Sequence, residues 1–310
     1  MGKARPAELV LGSVQLGLAY GAANRTGKPS HGAALSIVQR AVQSGITKFD
    51  TARAYGDSED RLGEALRERR GIRTVTKLSP LSELAADASR AAVRAAVDQS
   101  VQQSLAALRR VRLDCLLLHR MAHMTAWNGA AWERLLELLE DSTILALGVS
   151  VQSPQEALAA LDCPDVQHIQ LPFNLLDWRW REAGVIARIE ARAHLAVHAR
   201  SVFLQGILAA EDPSVWPRIE GVNSPDLVSL ISELARQFER KSAADLCLAY
   251  ARGQSWIDGV VVGMETQDQL DANLRLSARP PLSPEDCAEI EQRVPRLPAK
   301  LLDPAQWPKP

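Results

Sequence analysis

Three stretches of the chain carry residues whose types could do chemistry together. "KFDTARAYG" supplies Asp50 and Tyr55, "TVTKL" supplies Lys77, and "LDCLLLH" supplies His119. A lysine ammonium beside a phenol stabilises the phenolate, and an aspartate paired with that lysine keeps the ammonium charged and oriented. A neutral histidine donates a hydrogen bond to a carbonyl oxygen and stabilises the negative charge that develops there. Joined in one site, the four form a proton-transfer system suited to reducing a carbonyl by hydride, with Tyr55 as general acid. Two other readings use the same residues: a Schiff-base lyase or a hydrolase with Lys77 as its amine, or a nucleotide-sensing module with little turnover.

For these residues to meet, regular elements must bring them to one place. Short aliphatic runs alternate with helix-period segments from end to end, which predicts a parallel sheet. The eight runs are "ELVLGSV", "ITKFDT", "IRTVTKL", "LDCLLLH", "ILALGVS", "HIQLP", "HLAVHAR" and "DGVVVGM". Eight strands interleaved with helices predict an α/β fold, a (β/α)8 TIM barrel, in which Asp50, Lys77 and His119 end three consecutive strands at one mouth. Tyr55, just past Asp50, can bend back over the same spot.

The intervening segments read as helices. Val93, Val97, Val101, Leu105 and Leu108 recur every three or four residues and form one apolar stripe. "SPQEALAAL" opens with Ser153 as N-cap, Pro154 at the first helical position and Glu156 completing a capping box. No repeat, low-complexity tract or charge run marks a linker, so one domain is expected over 1–310. Its long post-strand loops, "LGLAYGAANRTGKPSHG", "RMAHMTAWNG", "PFNLLDWRWRE" and "SVFLQGILAAEDPSVWPRIEGVNSP", lie at the carboxyl ends of strands, where barrels hold their sites.

Composition excludes several classes. Basic residues number 36 and acidic 37, so no global field draws nucleic acid or an anionic membrane. "MGKARPAELVLG" holds no apolar segment long enough for a signal peptide and no later window approaches a membrane span, so a cytoplasmic location is expected. Cys115, Cys163, Cys247 and Cys287 are scattered and read as reduced, structural thiols. His123 follows His119 by four residues, but the strand ends between them, so no metal is expected.

Taken in order, "LGSVQLG", "FDTARAYGDSEDRLGEAL", "TKL", "LLLH", "LGVS", "QLPFN", "FLQGIL" and "GMETQDQLDANL" make the sequence resemble the aldo-keto reductase family over nearly its whole length. The resemblance implies a (β/α)8 barrel, a nicotinamide cofactor, NADP(H) or NAD(H), bound without a Rossmann domain, and a catalytic tetrad on Asp50, Tyr55, Lys77 and His119. It implies that Ser150 and Gln170 hold the nicotinamide carboxamide, with Val151 standing where asparagine is usual. Arg200, with Ser201 beside it, stands where an aromatic commonly stacks on the nicotinamide; a guanidinium plane can also stack.

The adenosine end falls on "GMETQDQLDANL". Gly263 would let backbone approach phosphate, and Gln269 and Asn273 would face the nucleotide from one helix. Glu265 stands near the place of a basic residue that often meets the ribose 2′-phosphate, which predicts a shift toward NAD. For the small-molecule carbonyl substrate, Tyr20, Trp127 and Trp180 are candidate pocket residues, with Trp178 a further loop tryptophan, and Asn24 and Arg25 candidate polar contacts. Trp132 and Trp256 read as core.

Overall fold

The computed structural model describes residues 6–308; the opening MGKAR, part of the stretch read for a signal peptide, lies outside them. Eight parallel strands close into a barrel in chain order. They are β1 (Glu8–Gly12), β2 (Lys48–Asp50), β3 (Arg73–Lys77), β4 (Cys115–Leu118), β5 (Leu147–Ser150), β6 (His168–Pro172), β7 (Ala196–Arg200) and β8 (Gly259–Gly263). Each lies inside one of the eight aliphatic runs. The runs overshoot the strands by at most three residues at either end, and β4 stops at Leu118, so His119 is the first residue beyond it.

The barrel wall separates two kinds of side chain, as the period of two along each strand requires. Phe49, Leu116, Leu118, Val149, Ile169, Leu171, Val197 and Val260 pack outward in the core shared with the helices. At about 1.5–3 kcal/mol for each large aliphatic or aromatic side chain buried, this outer layer carries the hydrophobic stabilisation. The inner layer is free to be polar. It holds a small apolar cluster of Val75, Cys115 and Leu117, the edge-to-face pair His168 and His198 with ring centroids 4.3 Å apart, and, nearer the mouth, Asp50, Lys77 and Gln170, all buried.

Local signals explain the helices that hold the strands. In the helix Arg90–Leu108, Ser89 caps by accepting the Ala92 N–H, and Val93, Val97, Val101, Leu105 and Leu108 are all buried. Ser153 accepts the Glu156 N–H at the start of Pro154–Asp162, but the Glu156 carboxylate accepts the Gln152 N–H at 2.6 Å, one residue upstream of a capping box. Trp132 and Trp256 are buried, as expected. No helix among the described residues is long and apolar enough to cross a membrane.

Candidate active site

Strand register sets the site. Asp50 and Lys77 end neighbouring strands on the inner side of the barrel, and Lys77 lies level with Leu117, two residues before His119. Lys77 Nζ donates to Asp50 Oδ1 at 2.8 Å, to Asp50 Oδ2 at 3.0 Å and to the Thr51 carbonyl at 2.9 Å. From the opposite side of the barrel, Gln170 Nε2 donates to Asp50 Oδ2 at 2.6 Å. The carboxylate is thus satisfied by a cation and an amide, which a buried charge demands.

Tyr55 reaches this pair from a tight loop. Lys77 Nζ lies 4.9 Å from the Tyr55 ring centroid, and the Tyr55 and His119 rings meet edge to face with centroids 6.0 Å apart. Gly17 makes the seat: a Cβ there would overlap the Tyr55 carbonyl oxygen. Gly56, at φ +59°, lets the chain turn sharply into the helix Ser58–Ala65. The four predicted residues are therefore brought together, with Tyr55 half-buried.

Environment fixes the charge of two members. Burial works against a charged Lys77, but the Asp50 carboxylate and the Tyr55 hydroxyl outweigh it and hold the ammonium above the ordinary lysine value. Burial, helped by the Lys77, Arg200 and Arg120 cations and by His123, pulls His119 from the ordinary 6.5 down to about 3. At neutral pH the site therefore presents an ammonium beside a phenol and an uncharged imidazole.

The residues read as cofactor-binding fit a nicotinamide group unevenly. Gln170 and Ser150 are paired in register on β6 and β5. Because Asp50 can only accept, Gln170 must present Nε2 to it, which leaves its buried Oε1 without a partner among the described residues. A buried orphan acceptor suits the NH2 of a carboxamide. Arg200 ends β7 and donates to the Val151 carbonyl at 3.2 Å and to Gln152 Oε1 at 2.7 Å, with Ser201 Oγ 3.5 Å from its other nitrogen. Those bonds fix the guanidinium plane at the mouth.

At the adenosine end the outcome differs from expectation. The space beside Gly263 is filled by the Gln15 side chain, whose amide a Cβ there would overlap; that glycine admits a side chain of this protein rather than leaving an open path for a phosphate. Glu265 and Gln269 are locked together, the Glu265 N–H donating to Gln269 Oε1 at 2.9 Å and Gln269 Nε2 to Glu265 Oε1 at 3.0 Å. Asn273 is buried on the same helix, Gln267–Ser277.

Of the candidate pocket residues, Tyr20 is 42% exposed, yet burial raises its hydroxyl pKa, with Arg200 opposing and Tyr55 adding. Trp127 lines an outer hollow with Arg90 and Asn128 and donates its indole N–H to the Ala85 carbonyl at 2.9 Å. Trp180 corrects its reading: it is wholly buried and donates to Asp177 Oδ2 at 3.0 Å, so it packs beneath the loop instead of lining a pocket. Trp178 donates to the Leu297 carbonyl at 3.0 Å.

Asn24 closes its own loop by accepting the Thr26 and Gly27 N–H groups and donating to the Tyr20 carbonyl at 3.1 Å. Arg25 lies near Asp212. Among the described residues no group of His, Cys, Asp or Glu is arranged to hold a metal, and the four cysteines are free thiols. Residues that the sequence reading missed include Glu59, Thr76, Gln15 and Gln152. Glu59 stood inside the quoted "YGDSEDRLG" motif, but only the fold shows what it touches.

Comparison with known proteins agrees with this geometry. Residues 8–294 match the model of the Aldo/keto reductase family. The chain is 24% identical over 295 residues to an L-glyceraldehyde 3-phosphate reductase of Escherichia coli, covering 84% of this chain and 83% of that one. Its fold is similar to that of an aldo-keto reductase from Bacillus halodurans in its holo form, with TM-score 0.73, 21% identity and coverage of 98% of this chain and 100% of the other. A match spanning almost the whole barrel shows that the chain belongs to the aldo-keto reductase family and is an NAD(P)H-dependent oxidoreductase.

Proposed function

We infer that the protein reduces small aldehydes or ketones to alcohols, with Tyr55 as proton donor, Lys77 and Asp50 as its support and His119 as the group that holds the carbonyl oxygen. The observation that carries this reading is the convergence of a charged, buried Lys77 on the Tyr55 ring at 4.9 Å, with the His119 ring 6.0 Å beyond. NAD(P)H supplies the hydride that the carbonyl carbon accepts. Tyr55 gives its proton to the oxygen, and the Lys77 ammonium stabilises the phenolate left behind. His119, neutral, donates a hydrogen bond to the same oxygen and orients it. Gln170 Oε1 and Ser150 would hold the carboxamide of the bound cofactor, and Arg200 would offer its guanidinium to the nicotinamide.

A Schiff-base role for Lys77 is disfavoured. Its three N–H groups already meet three acceptors, and an ammonium is no nucleophile. The E. coli relative acts on L-glyceraldehyde 3-phosphate by its name, and in this chain the exposed Arg120 directly follows His119, and its cation helps lower the His119 pKa. Small sugar-like aldehydes, with an anionic group to meet Arg120, are the substrates this favours. The test is NADPH oxidation followed optically with 4-nitrobenzaldehyde and with glyceraldehyde 3-phosphate. Turnover of both, with the higher kcat/KM for the phosphate, is expected; cofactor binding without turnover would overturn the reading in favour of a sensor.

Coenzyme choice follows from charge at short range. A ribose 2′-phosphate carries nearly two negative charges, so Glu265 beside it repels it, whereas a free 2′-hydroxyl donates to the same carboxylate. One such repulsion at a half-exposed site costs about 1 kcal/mol, or about fivefold in affinity. NADPH and NADH are expected to bind within about tenfold of each other, and Glu265→Arg to raise NADPH preference by about tenfold. Dissociation constants showing a preference for NADPH of about a hundredfold or more in the parent, or none gained in Glu265→Arg, would remove Glu265 from the ribose.

A further inference from the structure

The geometry points to Glu59 as a positioning residue that couples the Tyr55 loop to the strand bearing Lys77, an inference that rests on the reductase reading above. Glu59 lies on the first turn of the helix Ser58–Ala65, and its side chain is fully buried behind the site. Its two oxygens face different catalytic segments. Oε1 accepts from Thr76 Oγ1 at 2.6 Å, one residue before Lys77. Oε2 is paired with Arg53 Nη1, two residues before Tyr55.

The circuit closes through the backbone, because the Arg53 N–H donates to the Lys77 carbonyl at 3.2 Å. Glu59, Thr76, Lys77 and Arg53 thus form a ring that spans β3 and the loop from 51 to 57. A second set of bonds anchors the same loop: Ser58 Oγ lies 2.6 Å from Ser13 Oγ and 3.1 Å from Thr51 Oγ1, and Ser13 Oγ donates to the Asp50 carbonyl at 2.8 Å.

A buried carboxylate is retained only where its partners satisfy it, and an apolar side chain of similar size would pack this gap at less electrostatic cost. What Glu59 adds is direction: it fixes the separation between the segment that holds the phenol and the strand that holds the ammonium. Glu59 touches neither substrate nor reacting atoms. Its effect must appear as a change in the Tyr55 to Lys77 geometry, and a misplacement of about 1 Å is enough to cost on the order of a hundredfold in rate.

Glu59→Gln keeps an acceptor for Thr76 and loses the charge that holds Arg53. It is expected to lower kcat by about tenfold to a hundredfold while KM and the cofactor dissociation constant stay within about twofold, and to shift the rate-pH profile. Arg53→Met should do the same, and the double variant should be no worse than the single ones, because both cut one circuit. Thermal unfolding and cofactor titration on each variant establish that it is folded. Folded variants with parental kcat and pH profile would overturn the inference, as would additive losses in the double variant. Tyr55→Phe is measured alongside. If it is impaired while Glu59→Gln is not, the positioning role alone fails; if it is fully active, the reductase reading fails with it. Should Glu59→Gln not fold, Thr76→Val and Arg53→Met make the same test from the other two corners.

Discussion

Tyr55→Phe is expected to lower carbonyl reduction by about 10²–10⁴-fold, the range typical of losing a positioned general acid, with cofactor affinity almost unchanged. The substitution removes one oxygen and little else. A phenyl ring keeps its face toward Lys77 and its edge-to-face contact with His119, and the loop retains its seat against Gly17. What is lost is the proton that must reach the carbonyl oxygen as the hydride arrives at carbon. Because that transfer is made only in the transition state, kcat and kcat/KM should fall together and KM should hold. Steady-state kinetics with a reactive aldehyde and fluorescence titration of NADPH measure the two quantities. Turnover within about threefold of the parent would assign the proton to another group, because even the low end of the range for a general acid is about a hundredfold.

The sequence revealed the barrel and the four residues because both depend on patterns local to a strand. An aliphatic run with an ionisable group at its carboxyl end is legible one strand at a time, and eight in a row leave few alternatives to a closed sheet. Contacts between distant strands are not legible in that way. Gln170 sits on β6 and Asp50 on β2, and only closure of the barrel lets the amide donate to the carboxylate at 2.6 Å; the spacing of 120 residues holds no hint of it. Gln15 beside Gly263 depends on the pairing of β1 with β8. Trp180 lies on a four-residue helical turn in "DWRWRE", too short for a periodicity to say which tryptophan turns inward. An acid on the first turn of a helix, such as Glu59, needs no reason beyond the helix dipole, so nothing local in the sequence signals its burial against Thr76 and Arg53.

Lys77→Met is the second change with a large expected effect, and its consequence for stability separates it from Tyr55→Phe. The ammonium is 1% exposed and supplies two of the three donors that meet the Asp50 carboxylate, Gln170 supplying the third. Methionine fills most of the volume but leaves a buried carboxylate with the Gln170 amide as its remaining side-chain partner among the described residues, and breaking one side of a buried pair costs about 3–5 kcal/mol. Activity should fall by about 10²–10⁴-fold as well, because no cation then stabilises the phenolate as Tyr55 gives up its proton. Stability and chemistry part company in the double variant. Asp50→Asn with Lys77→Met removes the orphaned charge, so most of the lost stability should return while turnover stays low. The pH dependence gives a further check on sign. In Lys77→Met the abandoned carboxyl is tolerated best when protonated, so the stability deficit should be smallest at acid pH and grow toward neutrality, because the native state of the variant then holds a proton that its unfolded chain has released. Chemical denaturation across pH, with kcat measured on the same samples, reads both quantities. A single variant as stable as the parent at neutral pH would show that the Lys77–Asp50 pair does not support the fold, and a double variant that recovers turnover along with stability would show that Lys77 serves the fold and not the proton transfer.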